Sequence, residues 1–256
     1  MTYCLAIHVD AGLVFCSDSR TNAGIDQIST YSKMFRFGID GERQFVITSA
    51  GNLATTQSVI AQVKRDIRNQ NPTSLLTVET IGDAADYIGE LSRAVQQKHA
   101  RNDDHHRGIF EASFIVGGQI GNIRQEIHLV YPAGNHITTS PDTLYLQIGE
   151  SKYGKPILDR ILLRDTSLET AALCALVSMD STMRSNLTVG PPIELLVYRR
   201  DSQTLRHHHR FSADSEYLRQ LKKAWDYKLT EAFCQLPAFN WTSDSNESPD
   251  AQNRAC

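Results

Sequence analysis

The chain lacks any excess of positive charge. Its 26 Lys and Arg are outnumbered by 29 Asp and Glu, a formal net charge of −3. Nothing in that balance selects a phosphate backbone, so nucleic acid is not an expected partner. Long apolar runs are also missing. The longest are strand length, well short of the ~20 residues that cross a bilayer, so no membrane partner is expected. No basic, apolar, small-residue leader is read at the N-terminus, which gives the expectation of a cytoplasmic protein. The five Cys, at 4, 16, 174, 234 and 256, form no CxxC pair. Cys4, Cys16 and Cys174 lie in apolar runs, so the cysteines are expected as buried small hydrophobes and not as a disulfide framework.

What is present is an ordinary globular composition. With 256 residues, 41% hydrophobic and 21% charged, the chain is long enough for one large core. Strand-like runs are predicted at Tyr3 to Val9 and Leu13 to Ser17 around the turn Asp10-Ala11-Gly12. Arg20 to Ser29 is polar and reads as a loop. A second strand pair is predicted at Ser32 to Gly38 and Gln44 to Thr48, and its period-2 alternation puts Tyr31, Lys33 and Phe35 on one face. Ser49-Ala50-Gly51-Asn52 then leads into a helix over Leu53 to Arg68, with Val59, Ile60, Val63 and Ile67 on its apolar side. A second helix is predicted over Val78 to Lys98, striped by Ile81, Ala85, Ile88, Leu91 and Val95.

Further strands are predicted at Ala112 to Gly117, Glu126 to Tyr131 and Leu144 to Ile148, then a helical piece around Ile157, Ile161 and Leu162. Thr166-Ser167-Leu168-Glu169 has capping-box spacing and opens a helix through Met183. Strands at Ile193 to Tyr198 and Leu205 to Phe211 precede a last helix over Asp214 to Phe233, carrying Leu218, Leu221, Trp225 and Leu229. Strands grouped between helix pairs do not give a doubly wound parallel sheet. The fold expected is α+β, a four-layer αββα sandwich of two antiparallel sheets. One domain is expected over residues 1–236, followed by a mobile Ser-, Asp-, Asn- and Pro-rich tail over 237–256.

A hydroxyl residue sits directly behind the initiator Met. If Met1 is removed, Thr2 presents a free α-amino group and a β-hydroxyl on one residue, a base and a nucleophile together. Loss of Met1 is the single processing step expected.

Thr2, Asp18, Lys33 and Ser49-Ala50-Gly51 stand in the order and near spacing of the N-terminal Thr, the Asp, the Lys and the small-Gly turn of proteasome β-subunits. The sequence resembles most closely the bacterial proteasome-like Anbu (ancestral β-subunit) family. The runs that carry this likeness are Thr2 to Ile7, Ser17 to Gly24 and Ser185 to Pro192, and it extends to about residue 235. The resemblance implies an N-terminal-nucleophile hydrolase that cleaves peptide or amide bonds through an acyl-enzyme on Thr2. It implies a threonine peptidase needing no cofactor, acting on a polypeptide or amide substrate and assembled with itself into ring-like homo-oligomers.

Chemistry gives each matched residue a task. The Thr2 α-amine, with an ordinary pKa of about 7.7 to 8.0, is tethered within reach of the hydroxyl proton. Lys33 is the neighbouring ammonium that keeps that amine neutral. Asp18 is the partner that a buried Lys33 requires. The Gly51 N–H, at a helix start, is the oxyanion donor. The resemblance places a supporting polar contact at Ser185 and Asn186. Where relatives carry Ser-Gly this chain has Gly149-Glu150-Ser151, so the supporting serine is Ser151 or is replaced by Glu150. By the pleat argument Tyr31 and Phe35, with Thr21, Ser49 and Leu53, line the substrate pocket, which suits a medium or apolar side chain.

Two rival functions use the same residues. One is a noncatalytic assembly protein of this fold with Met1 retained; the other is an amidase for a small or crosslinked peptide. Two further clusters are read as solvated. His207-His208-His209 lies in a strand that points His207 and His209 one way and His208 the other, so at most two of them can share a metal. Asp103, Asp104, His105 and His106 have ligand chemistry but no fixed spacing, and no metal is expected.

Overall fold

The turn Asp10-Ala11 joins the strands on which the site is built. β1 (Tyr3–Val9) and β2 (Gly12–Asp18) pair antiparallel from Val9 opposite Gly12 to Cys4 opposite Ser17. The structure, a computed structural model, describes residues 1–22, 28–100, 108–237 and 239. Its chain divides into two units, Met1–Ala213 and Asp214–Cys256. The Asp103 to His106 cluster and the tail expected over 237–256, apart from Pro237 and Phe239, lie outside the described residues.

The first unit is α+β with antiparallel sheets. In one sheet β1 and β2 are joined by β10 (Tyr145–Gly149), β11 (Ile193–Arg199) and β12 (His207–Phe211), in the order β10-β1-β2-β11-β12. The other runs β5 (Met34–Ile39), β6 (Arg43–Gly51), β7 (Ala112–Ile120), β8 (Glu126–Val130) and β9 (His136–Thr138), in chain order. Residues pointing inward from both sheets share one apolar cluster, with Cys4, Ala6 and Phe15 from the first sheet meeting Val46, Ile115 and Ile127 from the second. On its other face the second sheet holds α1 (Leu53–Arg68) and α2 (Ile81–Ala100), through Ile47, Val59, Val63, Ile88 and Phe114. α4 (Leu168–Ser185) packs on β1, β2 and β11, and α3 (Lys155–Ile161) packs on α4. Strands covered on both faces explain why β2 is buried along its whole length.

Several boundaries depart from expectation for local reasons. Arg20 to Ser29, read as a loop, contains a small ribbon of β3 (Arg20–Asn22) and β4 (Ile28–Thr30), too short and polar to show a strand pattern. The edge strand β9 was likewise not anticipated. α2 begins at Ile81 and not Val78, because Thr80 and Asp83 cap each other's backbone N–H at 3.0 and 2.9 Å. In α4 the cap is Ser167, whose hydroxyl takes the Thr170 N–H at 3.1 Å, while Thr166 is occupied by the Leu163 N–H. β5 starts at Met34, so strict alternation does not reach back to Tyr31.

The second unit contains α5 (Glu216–Cys234), capped by Ser215. Leu218, Leu221 and Trp225 are half-buried and Leu229 is exposed. Cys4, Cys16 and Cys174 are free and buried, as expected, but Cys234 is disulfide-bonded, which corrects the expectation of no disulfide. Among the described residues no helix is long and apolar enough to cross a membrane.

Candidate active site

Asp18 ends β2 with its carboxylate fully buried, and three donors explain how it is held there. Oδ1 accepts from the Tyr3 N–H at 3.0 Å and from Lys33 Nζ at 2.8 Å. Oδ2 accepts from the Gly190 N–H at 3.3 Å. Lys33 Nζ also donates to the Arg20 carbonyl at 2.6 Å, which fixes the ammonium. Burial pushes the Asp18 carboxyl above its ordinary value, opposed by Lys33 and by the Tyr3 and Gly190 N–H groups. One carboxylate oxygen therefore touches both the Lys33 ammonium and the peptide that joins Thr2 to Tyr3.

Thr2 is positioned from its other side by the end of β10. Its carbonyl accepts the Glu150 N–H at 2.7 Å. The approach is so close that a Cβ on Gly149 would lie 2.0 Å from Thr2 O, and Gly149 has φ +83°. Only glycine tolerates both conditions. Gly51, at φ +107°, ends β6 under a similar restriction, since its Cβ would lie 2.4 Å from Glu111 O. Asn52 follows as the cap of α1, its side chain accepting the Thr55 N–H at 3.0 Å.

These pieces meet at a cavity of about 540 Å³. Thr2, Lys33 and Gly51 line it, and so do Thr21, Tyr31, Phe35, Ser49 and Leu53, all the expected pocket residues. Asp18 lies behind Lys33. Thr21 Oγ1 is buried without a hydrogen-bond partner among the described residues. Ser151, Ser185 and Asn186 are not in the lining. Ser151 is half-buried and Ser185 exposed, while Asn186 Nδ2 donates to Glu150 Oε2 at 3.2 Å. At 149–151 the contact with Thr2 is the Glu150 backbone N–H, not a side chain.

The electrostatics at the N-terminus are legible on Met1. Its α-amine is lowered from the ordinary value by burial and then by Lys33, with Asp18 and Glu150 opposing. An amine in this neighbourhood is thus biased toward its neutral, basic form.

Sequence reasoning missed Arg20, Ser32, Thr56, Gln57 and Gly149 in the lining. Gln57 was recoverable, because it lies one helical turn beyond Leu53. Gly190 gave no such signal, since its part is a backbone N–H. Away from the cavity, His208 Nε2 lies 3.3 Å from Glu194 Oε2, while His207 and His209 are exposed. Among the described residues no group of three or more His, Cys, Asp or Glu is placed to hold a metal ion.

Known structures give this geometry its relatives. The chain is similar to Anbu (ancestral beta-subunit) from Yersinia bercovieri, at 44% identity over 93% of this chain and 100% of that one, with TM-score 0.88. It is similar to the helical assembly of the Anbu complex from Pseudomonas aeruginosa, at 48% identity over 95% and 100%, TM-score 0.88. Anbu from Hyphomicrobium sp. strain MC1 matches at 42% identity over 93% and 100%, TM-score 0.83. No protein-family model matches the chain, and no curated protein matches it. Identity and coverage of this extent mean that the chain belongs to the Anbu family, with the proteasome β-subunit, N-terminal-nucleophile-hydrolase-like fold.

Proposed function

We propose that this protein is a threonine-type N-terminal-nucleophile hydrolase that cleaves peptide or amide bonds, built on a four-layer αββα sandwich. The observation that carries the reading is Asp18 Oδ1, which holds Lys33 Nζ at 2.8 Å and the Tyr3 N–H at 3.0 Å beside a cavity that Thr2 enters.

Hydrolysis of the Met1–Thr2 bond frees the Thr2 α-amine. Lys33 keeps that amine neutral, and Asp18 holds Lys33 in place. The amine takes the Oγ1 proton as Oγ1 attacks the substrate carbonyl carbon. The Gly51 N–H stabilises the resulting oxyanion; loss of such a donor costs about 2.7 to 4 kcal/mol in comparable sites. Collapse breaks the C–N bond, and the Thr2 ammonium returns the proton to the leaving amine. Water, deprotonated by the same amine, then hydrolyses the ester on Thr2 Oγ1. The mechanism uses no cofactor.

Glu150, steadied by Asn186, takes the supporting position beside Thr2, in preference to Ser151 or Ser185. Thr21, Tyr31, Phe35, Ser49 and Leu53 receive a medium or apolar side chain of the substrate. The helical assembly of the related Anbu complex supports self-association of this chain. A cytoplasmic location suits a sheltered hydrolase of this kind. The test is turnover of short peptide amides by wild type and Thr2→Ala: loss of activity in the variant is expected, and unchanged turnover would overturn the reading.

A further inference from the structure

β1 has Thr2 at one end and Asp10 beyond the other, about 25 Å away at ~3.3 Å per residue. At that far end lies a second cavity, of about 410 Å³, lined by His8, Asp10, Arg124, Gln125, Arg164 and Arg200. A smaller lobe of about 140 Å³ shares His8, Asp10, Arg124 and Arg164 and reaches Thr139 and Ser140. The hydrolase reading uses none of these residues.

Four parts of the fold deliver them. His8 and Asp10 come from the end of β1, Arg124 and Gln125 from the β7–β8 turn, Arg164 from the α3–α4 connection, and Arg200 from the end of β11. In the larger cavity three guanidiniums face the single carboxylate of Asp10. Arg164 Nη2 stands 3.4 Å from Asp10 Oδ1, and Arg200 donates from Nη1 to the Asp10 carbonyl at 3.3 Å and holds Asp201 Oδ2 at 3.4 Å from Nε, so neither forms a close carboxylate fork. His8 reports the local potential. Burial and then Arg124, with a smaller contribution from Arg164, bring its pKa down to about 4, against the opposing pull of Glu126 and Asp10. The ring is therefore neutral near pH 7, with Nδ1 3.0 Å from Thr139 Oγ1.

The second observation is Gln125, only 1% exposed. Its Nε2 donates to the Val9 carbonyl at 3.2 Å, which fixes the amide, and its Oε1 has no hydrogen-bond partner among the described residues. A buried acceptor left without a donor is unfavourable. Forked cations beside an unsatisfied acceptor fit a ligand that has several anionic oxygens and still keeps one O–H. Inorganic phosphate near neutral pH has both, since its dianion still keeps one O–H, whereas a phosphomonoester dianion and a carboxylate lack it. We propose that this cavity binds inorganic phosphate, with Arg124, Arg164 and Arg200 on its oxygens and Gln125 Oε1 accepting from its hydroxyl.

The test titrates the full chain with inorganic phosphate, following heat and the His8 ring resonances. Saturable binding at one site per chain is expected, with the His8 pKa rising as the anion offsets the arginines. Arg124→Gln and Arg200→Gln should each weaken binding roughly tenfold or more, and Arg200→Lys, which keeps the charge but loses the fork, should fall between. Glycerol phosphate, whose dianion has no phosphate O–H to offer Gln125 Oε1, is expected to bind less tightly, and equal or tighter binding by it would overturn the proposal. Thr2→Ala should bind phosphate as wild type does, which separates this site from the hydrolase reading. The proposal is overturned by no saturable binding to wild type, by unchanged affinity in both glutamine variants with wild-type circular dichroism, or by acetate competing on equal terms.

Discussion

Asp18 and Lys33 form the residue pair on which most depends, with side chains 0% and 8% exposed. Removing one partner strands the other in the interior. Lys33→Ala is therefore expected to cost about 3 to 5 kcal/mol of stability and to abolish labelling of Thr2, as read from denaturant midpoints and probe mass. Gly149→Ala acts through position. Its Cβ would displace the Thr2 carbonyl, and labelling should fall by about a hundredfold, the scale of a ~1 Å misplacement. His8 gives a pH dependence. Because its folded pKa of about 4 lies below the ordinary 6.5, the unfolded chain binds more protons between those values. Its contribution is complete above pH 6.5 and is lost as pH falls toward 4. Discounted for the ring's partial exposure, it amounts to about 2 kcal/mol. His8→Gln should flatten the stability difference between pH 7 and pH 4.5.

At the scale of elements, α1 and α2 are tied by Asp66, a buried carboxylate near the end of α1. It accepts from Tyr87 Oη at 2.6 Å, Gln62 Nε2 at 2.7 Å and Asn71 Nδ2 at 2.5 Å. Tyr87→Phe removes the bond between the helices and should cost about 1.5 to 3 kcal/mol in denaturant melts, without loss of Thr2 labelling. The helices were legible in the sequence because their burial is periodic: Val59, Ile60, Val63 and Ile88 all face the core as the 3.6 spacing requires. The ribbon β3–β4 was not, because its short polar strands leave no alternation to detect. The site divides in the same way. Thr2, Asp18, Lys33 and Gly51 were readable by side-chain type and order. The parts of Gly190 and Glu150 rest on backbone N–H groups, which every residue but proline has, so composition cannot mark them.

For the whole molecule, self-association predicts that sedimentation will show a species larger than one chain. Thr2→Ala should assemble alike, since the nucleophile is not needed for packing. The hydrolase reading itself depends on a single exposed amine at Thr2. The most direct measurement is the intact mass of the purified protein before and after treatment with an epoxyketone or β-lactone. The account predicts a chain shortened by Met1 alone that gains one adduct, and a Thr2→Ala chain that gains none. Retention of Met1 in the native protein, or equal labelling of Thr2→Ala, would contradict it.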